Sequence, residues 1–199
     1  MPCFLSFDFE FTHPVPRLGA PMQLGIAACQ FWEDDEGQPN FGLEMKQWSA
    51  VFHIDPEDRA IEVAPWVKSN QAELLSYCHS LNDPGHNDNI VEDLKKFLRG
   101  LPEEWRDKVI PVGWCLGSDM AYLLELLGQD CGLVHYSARD LDGILVGLMG
   151  VVDPSDEEVR RFLGVDENPF LHDALSDARH QLGMVQMATL MSWASRRRD

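Results

Sequence analysis

Positive charge is what this chain has least of. Sixteen Lys and Arg face 33 Asp and Glu, a formal net charge of −17 over 199 residues. A basic face is the usual source of non-specific affinity for nucleic acid or anionic membrane, so adhesion of that kind is disfavoured. No apolar run approaches the roughly 20 residues that a membrane-spanning helix needs. The opening Met-Pro-Cys-Phe-Leu-Ser-Phe-Asp lacks the basic region and long apolar stretch of a signal peptide. The five cysteines (Cys3, Cys29, Cys78, Cys115, Cys131) are odd in number, scattered and without a Cys-x-x-Cys pair. That argues against a zinc knuckle or disulfide framework and points to a reducing cytoplasm. Internal repeats, low-complexity tracts and linkers are missing too, so residues 1–199 read as one domain.

What remains, 45% hydrophobic and 25% charged, suits a globular chain. Short apolar runs predict strands over 3–9, 22–32 and 47–54, with the acidic, Gly/Pro-containing stretch 33–42 as a loop. Three strands joined so closely suggest an antiparallel meander. Beyond Pro56 the apolar spacing turns helical, over 70–79 and 89–98, with the turn-rich Asn-Asp-Pro-Gly-His-Asn-Asp-Asn between them. A strand is expected over 108–114, a helix over 118–127, another strand over 132–137, then helices over 140–149, 155–163 and 173–194. Strands followed by alternating helices and strands predict an α/β layer with a mixed sheet.

Three short stretches hold the chemistry. In Ser-Phe-Asp-Phe-Glu-Phe-Thr, residues two apart on a strand face the same way, so Asp8 and Glu10 share one face while Phe7, Phe9 and Phe11 turn to the other. Two adjacent carboxylates raise each other's pKa unless a cation separates them, and a hard divalent ion suits carboxylate oxygen. The alternative is a solvated strand face carrying two acids. In Val-Gly-Trp-Cys-Leu-Gly-Ser-Asp-Met, a strand ends and Asp119 lies at a helix start, where Ser118 or Asp119 would otherwise serve as a cap. In His-Asp-Ala-Leu-Ser-Asp-Ala, His172 sits at a loop-to-helix junction and Asp177 on the rigid helix, a mobile proton acceptor beside a fixed ligand. Asp173 reads equally well as that helix's cap.

Taken in order, Asp-x-Glu, a lone Asp after a central strand, and His-x-x-x-x-Asp resemble the three motifs of the DEDDh branch of the DnaQ-like 3′–5′ exonucleases. Met22-Gln23-Leu24-Gly25-Ile26-Ala27 is similar to that family's second strand, and the resemblance spans nearly the whole chain. It implies an RNase H-like fold with a mixed sheet of about five strands flanked by helices. It also implies removal of nucleotides from a 3′ end as 5′-monophosphates, with His172 as general base. Asp8, Glu10, Asp119 and Asp177 would hold two divalent metal ions (Mg²⁺ or Mn²⁺), Asp8 bridging them. Phe11, Thr12, His13 and Trp114 would lie against the terminal nucleotide. The chain departs from the family pattern where Trp114 and Cys115 replace a common His and Asn, which touches substrate contacts more than metal binding.

The expected partner is the 3′ end of single-stranded or short-overhang nucleic acid, RNA ahead of DNA, with no membrane association. Dimers are common among such enzymes, which keeps a homodimer in view. The few cations (Lys95, Lys96, Arg99, Arg106, Lys108 and Arg196-Arg197-Arg198) read as solvated faces, which favours short substrates held at one end. Two competing readings stay open. One is a non-catalytic binding domain of the same fold, and the other a phosphohydrolase of small nucleotides.

Overall fold

Residues 2–83, 85–106 and 108–197 are described in a computed structural model. Its frame is a mixed, open five-stranded sheet: β1 (Cys3–Phe11), β2 (Pro21–Glu33), β3 (Pro39–Val51), β4 (Val109–Gly113) and β5 (Arg139–Asp140). The spatial order is β3-β2-β1-β4-β5. The first three strands form an antiparallel meander, whereas β4 runs parallel to β1 and β5 parallel to β4. Among the described residues seven α-helices accompany the sheet: α1 (Pro65–Asn70), α2 (Ala72–Ser80), α3 (His86–Arg99), α4 (Gly117–Leu127), α5 (Leu141–Met149), α6 (Asp156–Leu163) and α7 (Ala174–Arg196). Among the described residues no helix is long and apolar enough to cross a membrane.

The alternation along β1 divides the core. Cys3, Leu5, Phe7 and Phe9 enter one apolar cluster with residues of α3 and α4. Phe4 enters the other, with residues of α5, α6 and α7. With both faces covered, the even-numbered Asp8 and Glu10 must lie on the α7 side. They sit near the carboxyl end of β1, beside the carboxyl end of the parallel β4, where ligands of open α/β sheets gather.

Most expected elements form, and the exceptions have local causes. Only 34–38 reverses the chain before β3, because Asp34 closes a tight hairpin: its carboxylate accepts from Glu36 N (3.0 Å) and Gln38 N (2.8 Å). The loop expected over 33–42 therefore shrinks to 34–38, and its flanks belong to β2 and β3. The helix expected over 70–79 forms as α2, and a short unexpected helix, α1, precedes it, the two separated at Gln71, whose φ of −126° is not helical. The strand expected over 132–137 is replaced by a 3₁₀ segment, Gly128–Leu133, and an extended run that gives one bond, His135 N to Val109 O (2.7 Å), before β5 pairs. Gly132, at the start of the expected strand, weakens its claim to be one.

Candidate active site

Three elements deliver the carboxylates. Asp8 and Glu10 come from β1, Asp119 from the first turn of α4, and Asp177 from the first turn of α7. The approach of α7 is set by Gly25, which lies opposite Asp8 on β2. A Cβ at Gly25 would fall 2.2 Å from the backbone of Ala174 and Leu175. Gln23, two residues earlier, accepts from Ala174 N (3.3 Å) and donates to Asp173 (3.3 Å). The Met-Gln-Leu-Gly stretch is thus the seat of the α7 N-terminus. Asp173 caps that helix, accepting from Ser176 N at 2.9 Å.

At the centre, the ligand atoms of Glu10, His172 and Asp177 all lie within 4.8 Å of one another. His172 Nδ1 is 3.6 Å from Glu10 Oε1, and His172 N donates to Asp177 (3.0 Å). The ring itself is half-exposed and meets the Trp66 ring edge-on, with centroids 5.1 Å apart. His172 adopts φ +62°, a left-handed conformation uncommon for a residue with a Cβ. That conformation swings the loop end so that backbone and ring both face the carboxylates.

All four carboxyls have their pKa values pushed up. Burial is the largest cause for Asp8, followed by the charges of Asp119, Glu10 and Asp177, and its pKa stands well above the usual carboxylate range. Burial raises Asp119 to about 7, with Glu10 adding to it and a backbone hydrogen bond with Phe9 opposing it. Burial likewise raises Glu10 and Asp177. Among the described residues no Lys or Arg pairs with any of the four. Oxygen-rich, strongly anionic and short of a counter-charge, the donor set fits hard divalent cations. The alternative of helix capping does not describe Asp119, because the N-cap of α4 is Leu116 with no side-chain cap.

Carboxamides surround this group in place of cations. Gln71 donates to Glu10 Oε2, Gln181 to Asp8 Oδ1 (2.8 Å) and Asn168 to Asp177 Oδ1 (2.6 Å). Sequence reading passes over all three. Gln181 had a signal, since it follows Asp177 by four residues and so shares its helical face. Gln71 and Asn168 had none.

The residues expected at the substrate are placed unevenly. Phe11 is half-buried and stacks on Tyr122 at 5.4 Å, with the rings 15° apart. Thr12 is fully buried, and its hydroxyl accepts from Ala20 N (2.9 Å), so it faces inward. His13 Nδ1 accepts from Val15 N, and its carbonyl accepts from Tyr122 Oη (2.8 Å). Trp114 is half-buried and lines a cavity of about 180 Å³ with Asn168, Leu171, Asp177, His180 and Gln181. The cations expected on solvated faces are mostly met by acids of the chain itself: Lys95 and Arg99 by Asp130, Lys96 by Asp93 and Arg197 by Glu36. Arg198 lies outside the described residues. No protein-family model matches the chain, and no match emerges among curated proteins either.

Proposed function

We propose that this chain is a metal-dependent 3′–5′ exonuclease of RNase H-like fold, releasing 5′-mononucleotides from single-stranded nucleic acid. The observation that carries this reading is the convergence of Glu10, His172 and Asp177 within 4.8 Å, at the end of β1 that also holds Asp8. The strand order, with an antiparallel meander joined to parallel β4 and β5, supports the fold assignment.

Asp8, Glu10, Asp119 and Asp177 together offer about −4 of charge, which two divalent ions would balance. Those ions would supply Lewis-acid polarisation of the scissile phosphate and charge stabilisation along an in-line displacement. The protein's own contribution is positional. β1, α4 and α7 bring the four carboxylates to one end of the sheet, where burial first, and the charges of their neighbours after it, raise their pKa values in the absence of a counter-ion. His172, half-exposed and steered by Trp66 and the Asp177 backbone contact, accepts the proton of the attacking water as general base. With a formal net charge of −17 and its own acids occupying Lys95, Lys96, Arg99 and Arg197, the chain has little positive surface for a long duplex, which favours substrates gripped at the 3′ terminus.

The products provide the test. A short oligonucleotide with Mg²⁺ should yield nucleoside 5′-monophosphates by mass spectrometry, and none with EDTA. Nucleoside 3′-monophosphates, or hydrolysis of free nucleotides with the oligonucleotide untouched, would overturn the proposal.

A further inference from the structure

We infer that Gln181 is a positioning residue that locks the Asp8 carboxylate to the end of β4, and that metal affinity depends on it. The inference rests on the exonuclease reading above. Gln181 Oε1 accepts from Trp114 N at 3.0 Å, and Nε2 donates to Asp8 Oδ1 at 2.8 Å. The two partners fix the amide's orientation without any hydrogen being seen. A backbone N–H only donates, so the oxygen must face Trp114 and the NH₂ must face Asp8. The carboxamide therefore spans three elements, with α7 supplying the side chain, β1 the acid and the exit of β4 the anchor.

Space is reserved for it. A Cβ at Gly113 would lie 2.8 Å from Gln181 Oε1 and 2.6 Å from Leu116 Cδ2, so the amide and Leu116 fill the volume that any larger residue at 113 would need. A neutral donor also has a chemical advantage here. Lys or Arg at 181 would orient Asp8 equally well, yet it would neutralise a charge that the cations need. An amide orients the acid and leaves its charge in place. Gln71 and Asn168 give Glu10 and Asp177 the same kind of support, but Gln71 Oε1 has no partner among the described residues and Asn168 Oδ1 accepts only from Ser176 Oγ (2.7 Å) and from Phe170 N (3.1 Å) in its own loop, so of the three Gln181 alone ties its acid to another strand.

The test is calorimetric titration of the full chain with Mn²⁺, alongside thermal melting in EDTA. Gln181→Met keeps the side-chain length and removes both bonds. Gln181→Asn keeps the amide but falls one methylene short of reaching both partners, and it serves if the methionine variant does not fold. The control is Gln186→Met on the same helix, whose amide touches only Cys29 Sγ. Either Gln181 variant should bind Mn²⁺ about 10- to 100-fold more weakly, while its metal-free melt, lowered by the unpaired Trp114 N, stays a single cooperative transition. Titrations of a folded Gln181 variant that superimpose on the wild type would overturn the inference. An equal loss of affinity in Gln186→Met would do so too, since it would mark a general effect of helix packing. No binding to the wild type would overturn the exonuclease reading, and this inference with it.

Discussion

Replacing Asp119 with Asn should stabilise the metal-free protein while destroying its activity. Burial and the nearby Glu10 lift this carboxyl from the ordinary 3.8 to about 7, and it is only 9% exposed. The folded state therefore keeps a proton that the unfolded chain gives up between about pH 4 and pH 7. Across that window, stability falls as pH rises, and above it the full cost is present. At about 1.4 kcal/mol for each pH unit of displacement, the raised pKa of Asp119 costs roughly 4 kcal/mol at pH 8, where the group is ionised, and roughly 2 kcal/mol at pH 5.5, where the folded state holds its proton. Asparagine carries no charge and still offers an oxygen to Phe9. The gain at pH 8 should thus exceed that at pH 5.5 by about 2 kcal/mol, or roughly 4–8 °C in melting temperature for a domain of this size. Lower pH is avoided because a chain with 33 acids and 16 bases nears neutrality there, where solubility falls. The assay is thermal unfolding in EDTA at both pH values. Saturating Mg²⁺ should then raise the wild type's melting temperature and leave the variant's almost unchanged. A variant less stable than wild type at pH 8, or a gain equal at both pH values, would refute the reasoning.

Three further substitutions separate chemistry from architecture. His172→Ala should lower the single-turnover rate about 10²- to 10⁴-fold while Mn²⁺ affinity by calorimetry stays within about tenfold of wild type. Gly25→Ala pushes a methyl into the backbone at Ala174 and Leu175, and should cost about 3 kcal/mol or more in urea unfolding. Thr12→Val leaves Ala20 N without its 2.9 Å partner, and should cost about 1–3 kcal/mol in the same assay with Mn²⁺ affinity unchanged.

How far the sequence carries differs from residue to residue. Asp8 and Glu10 are legible because strand alternation is local: Phe7 and Phe9 take the core and the acids are left for the opposite face. Asp173 as a cap is legible for the same reason, since the Ser176 N–H it accepts from is only three residues on. Asp119 is half-legible, since helix-start spacing cannot tell a cap from a buried acid and the difference lies in β1 packing against α4. The hairpin at 34–38 hid inside an acidic stretch that composition alone assigns to a loop. The pairings of Gln71 with Glu10 and of Gln181 with Asp8 stay hidden because the partners lie 61 and 173 residues apart. Only the folded sheet brings them together. The left-handed φ of His172 was equally hidden, because it falls on a residue type that carries no such signal.

The central claim is the polarity and metal dependence of the reaction. The most direct measurement is a time course on matched 5′-labelled single strands, one RNA and one DNA, with Mg²⁺ or Mn²⁺, beside EDTA and Asp8→Ala controls. The account predicts a ladder of 5′-labelled products shortening one nucleotide at a time in the metal lanes alone, with the faster strand naming the substrate. Intact strands in every lane, from protein shown to be folded and metal-bound, would contradict it.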